Sequence, residues 1–255
     1  MSIKIKDLSF RYEKELTSIL LNEINIEIND GETVALLGAS GSGKSTLFNI
    51  ITSLYEPTNG KVTFSNSELF DLSYIQQSAM DMIFPWKTVQ GNIEFALKER
   101  DKLNDKTKKR IYTLLEILRL NHRKDYYPKQ LSGGELKRLS FACGLSYSPK
   151  IILLDEAFTG VDLSLKLELW SFLKKEISTN RITTFIISHD FDEAIYLADR
   201  IIFLNQSGTI YSKQIVIDRK LKDNDISIEA FLSNAEVINI KKEAIKTFRT
   251  INGNE

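Results

Sequence analysis

Cysteine occurs once in the 255 residues, at Cys143, so the chain can form no internal disulfide. Histidine occurs twice, at His122 and His189, which leaves no nitrogen and sulfur set for a structural zinc site. A metal, if one is used, is expected on oxygen ligands. Proline occurs four times, too rarely for a long stiff linker. No run approaches the roughly 18 consecutive apolar residues of a spanning helix. The opening Met1-Ser2-Ile3-Lys4-Ile5-Lys6 lacks the apolar stretch of a signal peptide, so a cytosolic protein is expected. Neither sign of charge is in excess: 34 lysines and arginines balance 34 aspartates and glutamates. No overall field therefore draws nucleic acid or an anionic bilayer, and any partner surface must be local. Internal repeats and low-complexity tracts are also absent.

What is present suits an α/β protein with a packed interior: 42% of residues are hydrophobic and 27% charged. The length fits one large unit or two joined lobes. Ile3 and Ile5, and then Ile24-Asn25-Ile26-Glu27-Ile28, alternate apolar with polar and predict half-exposed strands, with an antiparallel subsheet near the start. Val34-Ala35-Leu36-Leu37, Ile151-Ile152-Leu153-Leu154 and Thr184-Phe185-Ile186-Ile187 are short and continuously apolar, as in parallel strands covered on both faces. Between them Ile111, Leu114, Leu115 and Leu118 fall at helical spacing, and Leu131 to Ser146 holds no proline, so a helical lobe inserted at about 78–148 is expected. The lysine-rich stretch from Asp101 to Arg110 fits a solvated helix start. One domain over 1–215 followed by a helical tail over 216–255 is the expected organisation.

Gly38-Ala39-Ser40-Gly41-Ser42-Gly43-Lys44-Ser45-Thr46 follows the apolar strand ending at Leu37 and precedes the helical pattern Leu47-Phe48-Asn49-Ile50-Ile51. Strand, glycine-rich loop and helix make an anion cradle, because the glycines let backbone N–H groups turn inward and the helix aims its positive end at the same charge. In such a cradle Lys44 bridges the β- and γ-phosphates, Ser45 places its hydroxyl on Mg²⁺, and Thr46 bonds the α-phosphate. The strand Ile151–Leu154 runs into Asp155 and Glu156 at the edge where doubly wound sheets hold ligands. Asp155 is the candidate Mg²⁺ ligand, and Glu156 the candidate base for the water attacking the γ-phosphate.

Leu131-Ser132-Gly133-Gly134-Glu135 opens a second helix with a serine and two glycines, a second anion nest. One triphosphate does not need two nests. Two copies facing head to tail would use both, the nest of one closing over the γ-phosphate held in the cradle of the other.

With these elements in this order and spacing, the sequence resembles the ABC ATPase family over nearly the whole chain, from Tyr12 to about Tyr211. The resemblance implies a P-loop NTPase core of α/β class with a mostly parallel central sheet, an N-terminal antiparallel β-subdomain and an inserted helical subdomain. Gly38 to Thr46 is similar to the Walker A loop, Asp155 and Glu156 to the Walker B pair, and Leu131 to Glu135 to the signature motif. Gln77, rather than Gln76, resembles the Q-loop glutamine that touches Mg²⁺ and the attacking water. Asp162 in Thr159-Gly160-Val161-Asp162 resembles the D-loop aspartate at the dimer seam, and His189 the switch histidine on the γ-phosphate. Tyr12 lies where the family stacks an aromatic on adenine.

The resemblance further implies ATP and Mg²⁺, a second ATPase subunit, transmembrane permease subunits, an extracytoplasmic solute-binding protein acting indirectly, and a peripheral place on the cytoplasmic face of the membrane. Ala157 stands where the family commonly has proline and Cys143 where it usually has arginine. About two extra residues separate Gln77 from Pro85-Trp86. Cys143 reads as a buried helix residue. Trp86 reads either as core or as the wall of a groove for a short helix of the permease. Pro85-Trp86-Lys87-Thr88-Val89 with Asn92 is similar to importer ATPases of the nitrate, sulfonate and taurine group, whereas Gln77 to Phe84 is similar to vitamin-type energy-coupling-factor importers. An exporter or lipoprotein-release ATPase would share every catalytic residue. A non-transport member acting on DNA or ribosomes would need a long coiled-coil insertion or tandem cassettes, which these residues do not hold.

Overall fold

The buried positions of the first strand change parity partway along it, and a bulge is the reason. In the computed structural model, β1 (Ile3–Phe10) buries Ile3 and Ile5 and then Leu8 and Phe10. Asp7 takes φ 49° within the register shift between Ile5 and Leu8, adding the residue that returns Leu8 to the apolar face. β2 (Leu21–Ile28) pairs antiparallel with β1, placing Ile3 opposite Ile28 and Ile5 opposite Ile26. β4 (Asn59–Phe64) takes the other edge of β1, a strand without a clear apolar signal in the sequence. The structure describes residues 1–12, 19–65, 71–98, 104–218, 221 and 226–253. By contact the chain divides into two units, Met1–Leu69 with Leu167–Glu255, and Phe70–Lys166.

The first unit holds the antiparallel sheet and a second, mainly parallel one. There β3 (Thr33–Gly38) lies between β7 (Thr183–Ile187) and β8 (Arg200–Leu204), parallel to both. Every residue of β3 and β7 is buried, as continuous apolar runs covered on both faces require. The short β9 (Ile215–Val216) closes the edge of β8 in antiparallel sense. Helix α1 (Lys44–Ile51) lays Phe48 on Phe185, ring centroids 5.1 Å apart. Most of α5 (Leu163–Asn180) also belongs here, with Trp170 stacked 6.0 Å from Tyr196 of α6 (Phe191–Leu197).

The C-terminal stretch is docked. After α7 (Ile228–Leu232), α8 (Ala235–Ile251) buries Val237, Ala244 and Thr247 and leaves Ile238 exposed. Its Phe248 meets Phe191 edge to face at 5.7 Å, and its Lys241 pairs with Asp192 at 2.7 Å, so the helix is held against α6.

In the second unit β5 (Leu72–Ile75) and β6 (Ile151–Asp155) run parallel with Ile75 opposite Leu154. The helices α2 (Val89–Lys98), α3 (Asp105–Ile117) and α4 (Gly133–Leu145) occupy the stretch between them. An Asn104–Thr107 capping box starts α3, and Ile111, Leu114, Leu115 and Leu118 are buried as their spacing predicts. Lys108 and Lys109 are exposed, as a solvated helix start requires, while Arg110 donates to the Leu145 carbonyl and 101–103 lie outside the described residues. Helix α4 is buried nearly all round, including Cys143, whose thiol burial pushes up to about 12. Trp86 is 68% exposed, which removes the core reading of that residue. Buried Asn92 holds the turn beneath it: its Nδ2 donates to the carbonyls of Phe84, Lys87 and Thr88, and its Oδ1 accepts from Phe84 N at 2.7 Å. Among the described residues no helix is long and apolar enough to cross a membrane.

Candidate functional site

In the first unit, the loop 38–43 leaves β3 and turns into α1 within six residues, and two glycines make this possible. A Cβ on Gly38 would stand 2.5 Å from the carbonyl oxygen of Leu204 on neighbouring β8. Gly43 sits at φ 97°, a left-handed conformation that favours glycine, directly before α1. Lys44, 5% exposed, folds its ammonium onto the loop and donates to the carbonyls of Gly38 (2.9 Å) and Ala39 (2.7 Å). Gly41 and Ser45 are exposed, whereas Ser42 is buried with a hydroxyl that finds no hydrogen-bond partner among the described residues. The buried Ser42 hydroxyl, the Lys44 ammonium folded onto the loop and the N-terminus of α1 fit an anion at this place. Ser40, at the exposed margin of the loop, belongs to the same turn.

Tyr12 and Thr46 come together, Oη and Oγ1 lying 3.0 Å apart. Tyr12 is 41% exposed and packs edge to face with Phe10, 5.0 Å between centroids, and with Tyr55 at 6.1 Å. His189 follows β7, whose Ile187 lies opposite Leu36 of β3, so it leaves the sheet at the same edge as the cradle. It is exposed, and Asp190 behind it caps α6 by accepting from Asp192 N and Glu193 N.

The second unit gathers the acidic pair and the glutamine. Asp155 ends β6 at 6% exposure and accepts from Tyr74 Oη at 3.1 Å. Burial first, and Asp155 beside it second, push the Tyr74 hydroxyl above its ordinary range, so it stays a donor. Glu156 takes φ 46°, uncommon for a side chain with a Cβ and worth about 1 kcal/mol of strain, which turns it out of the line of the strand. Gln77 Nε2 donates to Glu156 Oε2 at 3.3 Å. That contact belongs to Gln77, while Gln76 uses its backbone N–H on Met82 Sδ at 3.4 Å.

The same unit contains the second glycine-led helix start. Ser132 caps α4, its Oγ accepting from Glu135 N at 3.2 Å while Glu135 Oε2 accepts from Ser132 N at 2.8 Å. The Ser132 hydrogen bonds and then Arg123, at 3.0 Å, hold the Glu135 carboxyl below its ordinary range against the opposing effect of burial. Gly133 is exposed and nothing lies within 4 Å of where its Cβ would be, so the helix end faces open space. Asp162 starts α5 by accepting from Leu165 N at 3.0 Å, beside exposed Leu163.

Two residues of this unit escape a reading of motifs. Tyr74 precedes the glutamine by three positions and signals itself only as a hydroxyl in an apolar strand. Lys137 sits beside Arg138 in α4 and has no local signal of its own; burial lowers its affinity for the proton, and its ammonium meets the carbonyls of Gln76 and Gln77. Asp155 and the Gln77 carboxamide offer oxygen atoms in this unit, the kind of ligand a hard ion such as Mg²⁺ takes, and the Ser45 hydroxyl offers another in the first.

Comparison with known proteins agrees with this chemistry. A family profile described as "ABC transporter" matches residues 21–159. The chain is 34% identical over 230 residues to a probable sulfate/thiosulfate import ATP-binding protein CysA of Chlorella vulgaris, covering 88% of this chain and 94% of that one. It is 34% identical over 216 residues to the sulfate/thiosulfate import ATP-binding protein CysA of Nitrosomonas europaea, covering 81% of this chain but 59% of the relative's length. Among solved structures, a dimeric post-hydrolysis state of the ATP-binding cassette MJ0796 bound to ADP and Pi superposes with a TM-score of 0.76 at 27% identity, covering 85% of this chain and 99% of that chain. The cbiO1 protein of Clostridium perfringens, part of the ABC transporter complex cbiONQ, gives 0.73 at 26% identity and covers 97% of this chain and 94% of that one.

Proposed function

This chain belongs to the ABC transporter family, and on that premise we propose that it is the ATP-hydrolysing subunit of an importer for a small, anionic solute, working on the cytoplasmic face of a membrane as a pair of copies beneath permease subunits. The observation that carries the reading is the presence in one chain of two glycine-led helix starts, at Gly43-Lys44 and at Ser132-Gly133-Gly134, with a buried carboxylate and a turned-out Glu156 at a strand edge. Relatives named for sulfate/thiosulfate import and the dimeric state of a structural neighbour support the cargo class and the pairing. An extracytoplasmic solute-binding protein would deliver the cargo to such an importer.

In this reading Gly38 to Thr46 bind the triphosphate through backbone N–H groups, and Lys44 exchanges the loop carbonyls for phosphate oxygens. Tyr12 lends its ring to the adenine. Ser45, Asp155 and Gln77 would hold Mg²⁺, which when bound would neutralise charge on the phosphates. Glu156 orients the attacking water and takes its proton, Gln77 steadies Glu156, and His189 steadies the γ-phosphate. Ser132, Gly133 and Gly134 of the second copy complete the pocket with Asp162 at the seam, so hydrolysis requires both copies.

The test is Glu156→Gln in the full chain. It should bind ATP, elute as a stable dimer with Mg-ATP, and lose hydrolysis by a factor of at least about 100. Full turnover by that variant, or a strictly monomeric variant at saturating Mg-ATP, removes the reading.

A further inference from the structure

Lys137 lies one helical turn beyond Gly133 and Gly134, and its side chain does not open to solvent: the residue is 5% exposed. Its ammonium donates to the carbonyl oxygen of Gln77 and, at 3.5 Å, to that of Gln76. Among the described residues these two backbone carbonyls are its polar partners. The same Gln77 sends its carboxamide to Glu156 at 3.3 Å. One short path of contacts therefore runs from the glycine-led end of α4, through Lys137, to the backbone and then the side chain of Gln77, and on to Glu156. All of it lies within the second unit.

The surroundings make a cation an expensive choice. Leu139, Phe141, Ala142, Cys143 and Leu145 of the same helix are buried, and an aliphatic side chain at 137 would fit that environment without taking a charge out of water. What a lysine adds is reach and several donors, and it uses them on the two carbonyls that leave β5 just where Gln77 begins. Stability of α4 does not call for this contact; the placement of Gln77 does.

We propose that Lys137 is a positioning residue for hydrolysis, clamping the Gln77 backbone to the start of α4, so that a neighbouring copy's nucleotide seated on Ser132, Gly133 and Gly134 fixes Gln77 and Glu156 in the same chain. The inference rests on the function proposed above. It makes each copy's reaction sensitive to whether its partner has bound ATP, because the helix end that touches the partner's nucleotide also holds this copy's glutamine.

The experiment compares Lys137→Met, which keeps length and loses the donors, with Lys137→Arg, which keeps them, in the full chain. For Lys137→Met, kcat should fall about tenfold or more with KM for ATP within about twofold, the pattern of lost positioning rather than lost binding. Amide exchange across residues 76–82 should speed about tenfold. The thermal midpoint should hold or rise, because a buried charge has gone. Lys137→Arg should recover kcat to within about threefold. Unchanged exchange at 76–82, kcat within about twofold of the parent, or a fall in midpoint and ATP affinity that accounts for the lost rate overturns the proposal. If instead the parent's hydrolysis is indifferent to Glu156→Gln, the underlying functional reading fails, and the exchange data still decide whether Lys137 holds Gln77.

Discussion

Tyr74 and Asp155, 81 residues apart in the chain, join adjacent parallel strands through a 3.1 Å hydrogen bond from phenol to carboxylate. The bond fixes one oxygen of Asp155, and with it the orientation of the carboxylate proposed to hold the cation. Tyr74→Phe keeps the ring and removes the donor, at a cost of about 1 kcal/mol of stability. The Mg²⁺ concentration for half-maximal hydrolysis should rise several-fold while ATP binding measured without metal stays as it was. A metal titration of the rate checks this, and an unshifted curve would show that Asp155 is placed by other contacts.

Gly133 and Gly144 sit in one helix and should respond to added atoms in opposite ways. A Cβ at 144 would stand 2.8 Å from both Ile75 Cγ1 and Ser73 Oγ, so Gly144→Val should destabilise by about 1–3 kcal/mol through overpacking. At 133 nothing lies within 4 Å, and Gly133→Ala should leave stability unchanged or raise it by up to about 1 kcal/mol. Its hydrolysis rate should nevertheless drop at least about tenfold, because the added methyl intrudes on a partner's phosphate. Urea unfolding and steady-state rates on the two variants separate the cases.

Ser132→Ala removes a cap as well as a proposed phosphate donor. The cap alone is worth about 1 kcal/mol. A stability loss of that size, accompanied by weaker ATP-driven pairing in light scattering, is the expected result. Replacement by Asp should restore the cap but not the pairing, since a carboxylate repels a γ-phosphate.

Glu32 carries a pH dependence of stability. Burial works to raise its pKa, but Arg200 and the Asn29 backbone N–H prevail and hold it below the ordinary 4.5. A carboxyl with a depressed folded-state value binds fewer protons folded than unfolded, so its stabilisation is complete above 4.5 and fades as pH falls through the lower folded value. Urea midpoints measured from about pH 6 down to pH 3 should therefore fall more steeply in the parent than in Arg200→Met, whose Glu32 keeps Asn29 but has lost the guanidinium.

The parts of the fold legible from sequence were those written in short-range pattern. Three apolar runs announce β3, β6 and β7, because strands covered on both faces have no polar alternate positions to confuse the signal. The spacing of Ile111 to Leu118 announces α3 for the matching helical reason. The parity change at Asp7 was invisible, since a bulge depends on the partner strand rather than on the residues that form it. β4 and β5 were missed because their apolar content is thin or short, and the docking of α8 because amphipathicity says which face is buried but not what covers it.

For the site, glycine spacing and the acidic pair identify the residues that face a ligand, because backbone geometry demands particular residue types there. Tyr74 and Lys137 could not be found that way. Each acts through a partner 60 or more residues distant, and nothing local distinguishes a tyrosine in a strand or a lysine in a helix from an ordinary neighbour. Trp86 admitted two readings until its exposure, above the turn held by Asn92, removed the core one.

The single thiol of the sequence, Cys143, buried in α4, gives the molecule a built-in reporter of its own breathing. At neutral pH a thiol held near 12 is almost entirely uncharged and out of contact with water, so an alkylating dye cannot reach it in the closed state. Each labelling event then counts one excursion in which the helix has parted from its packing. The labelling rate, followed with and without nucleotide, translates ligand-induced tightening of that helix into a clock reading that needs no engineered probe.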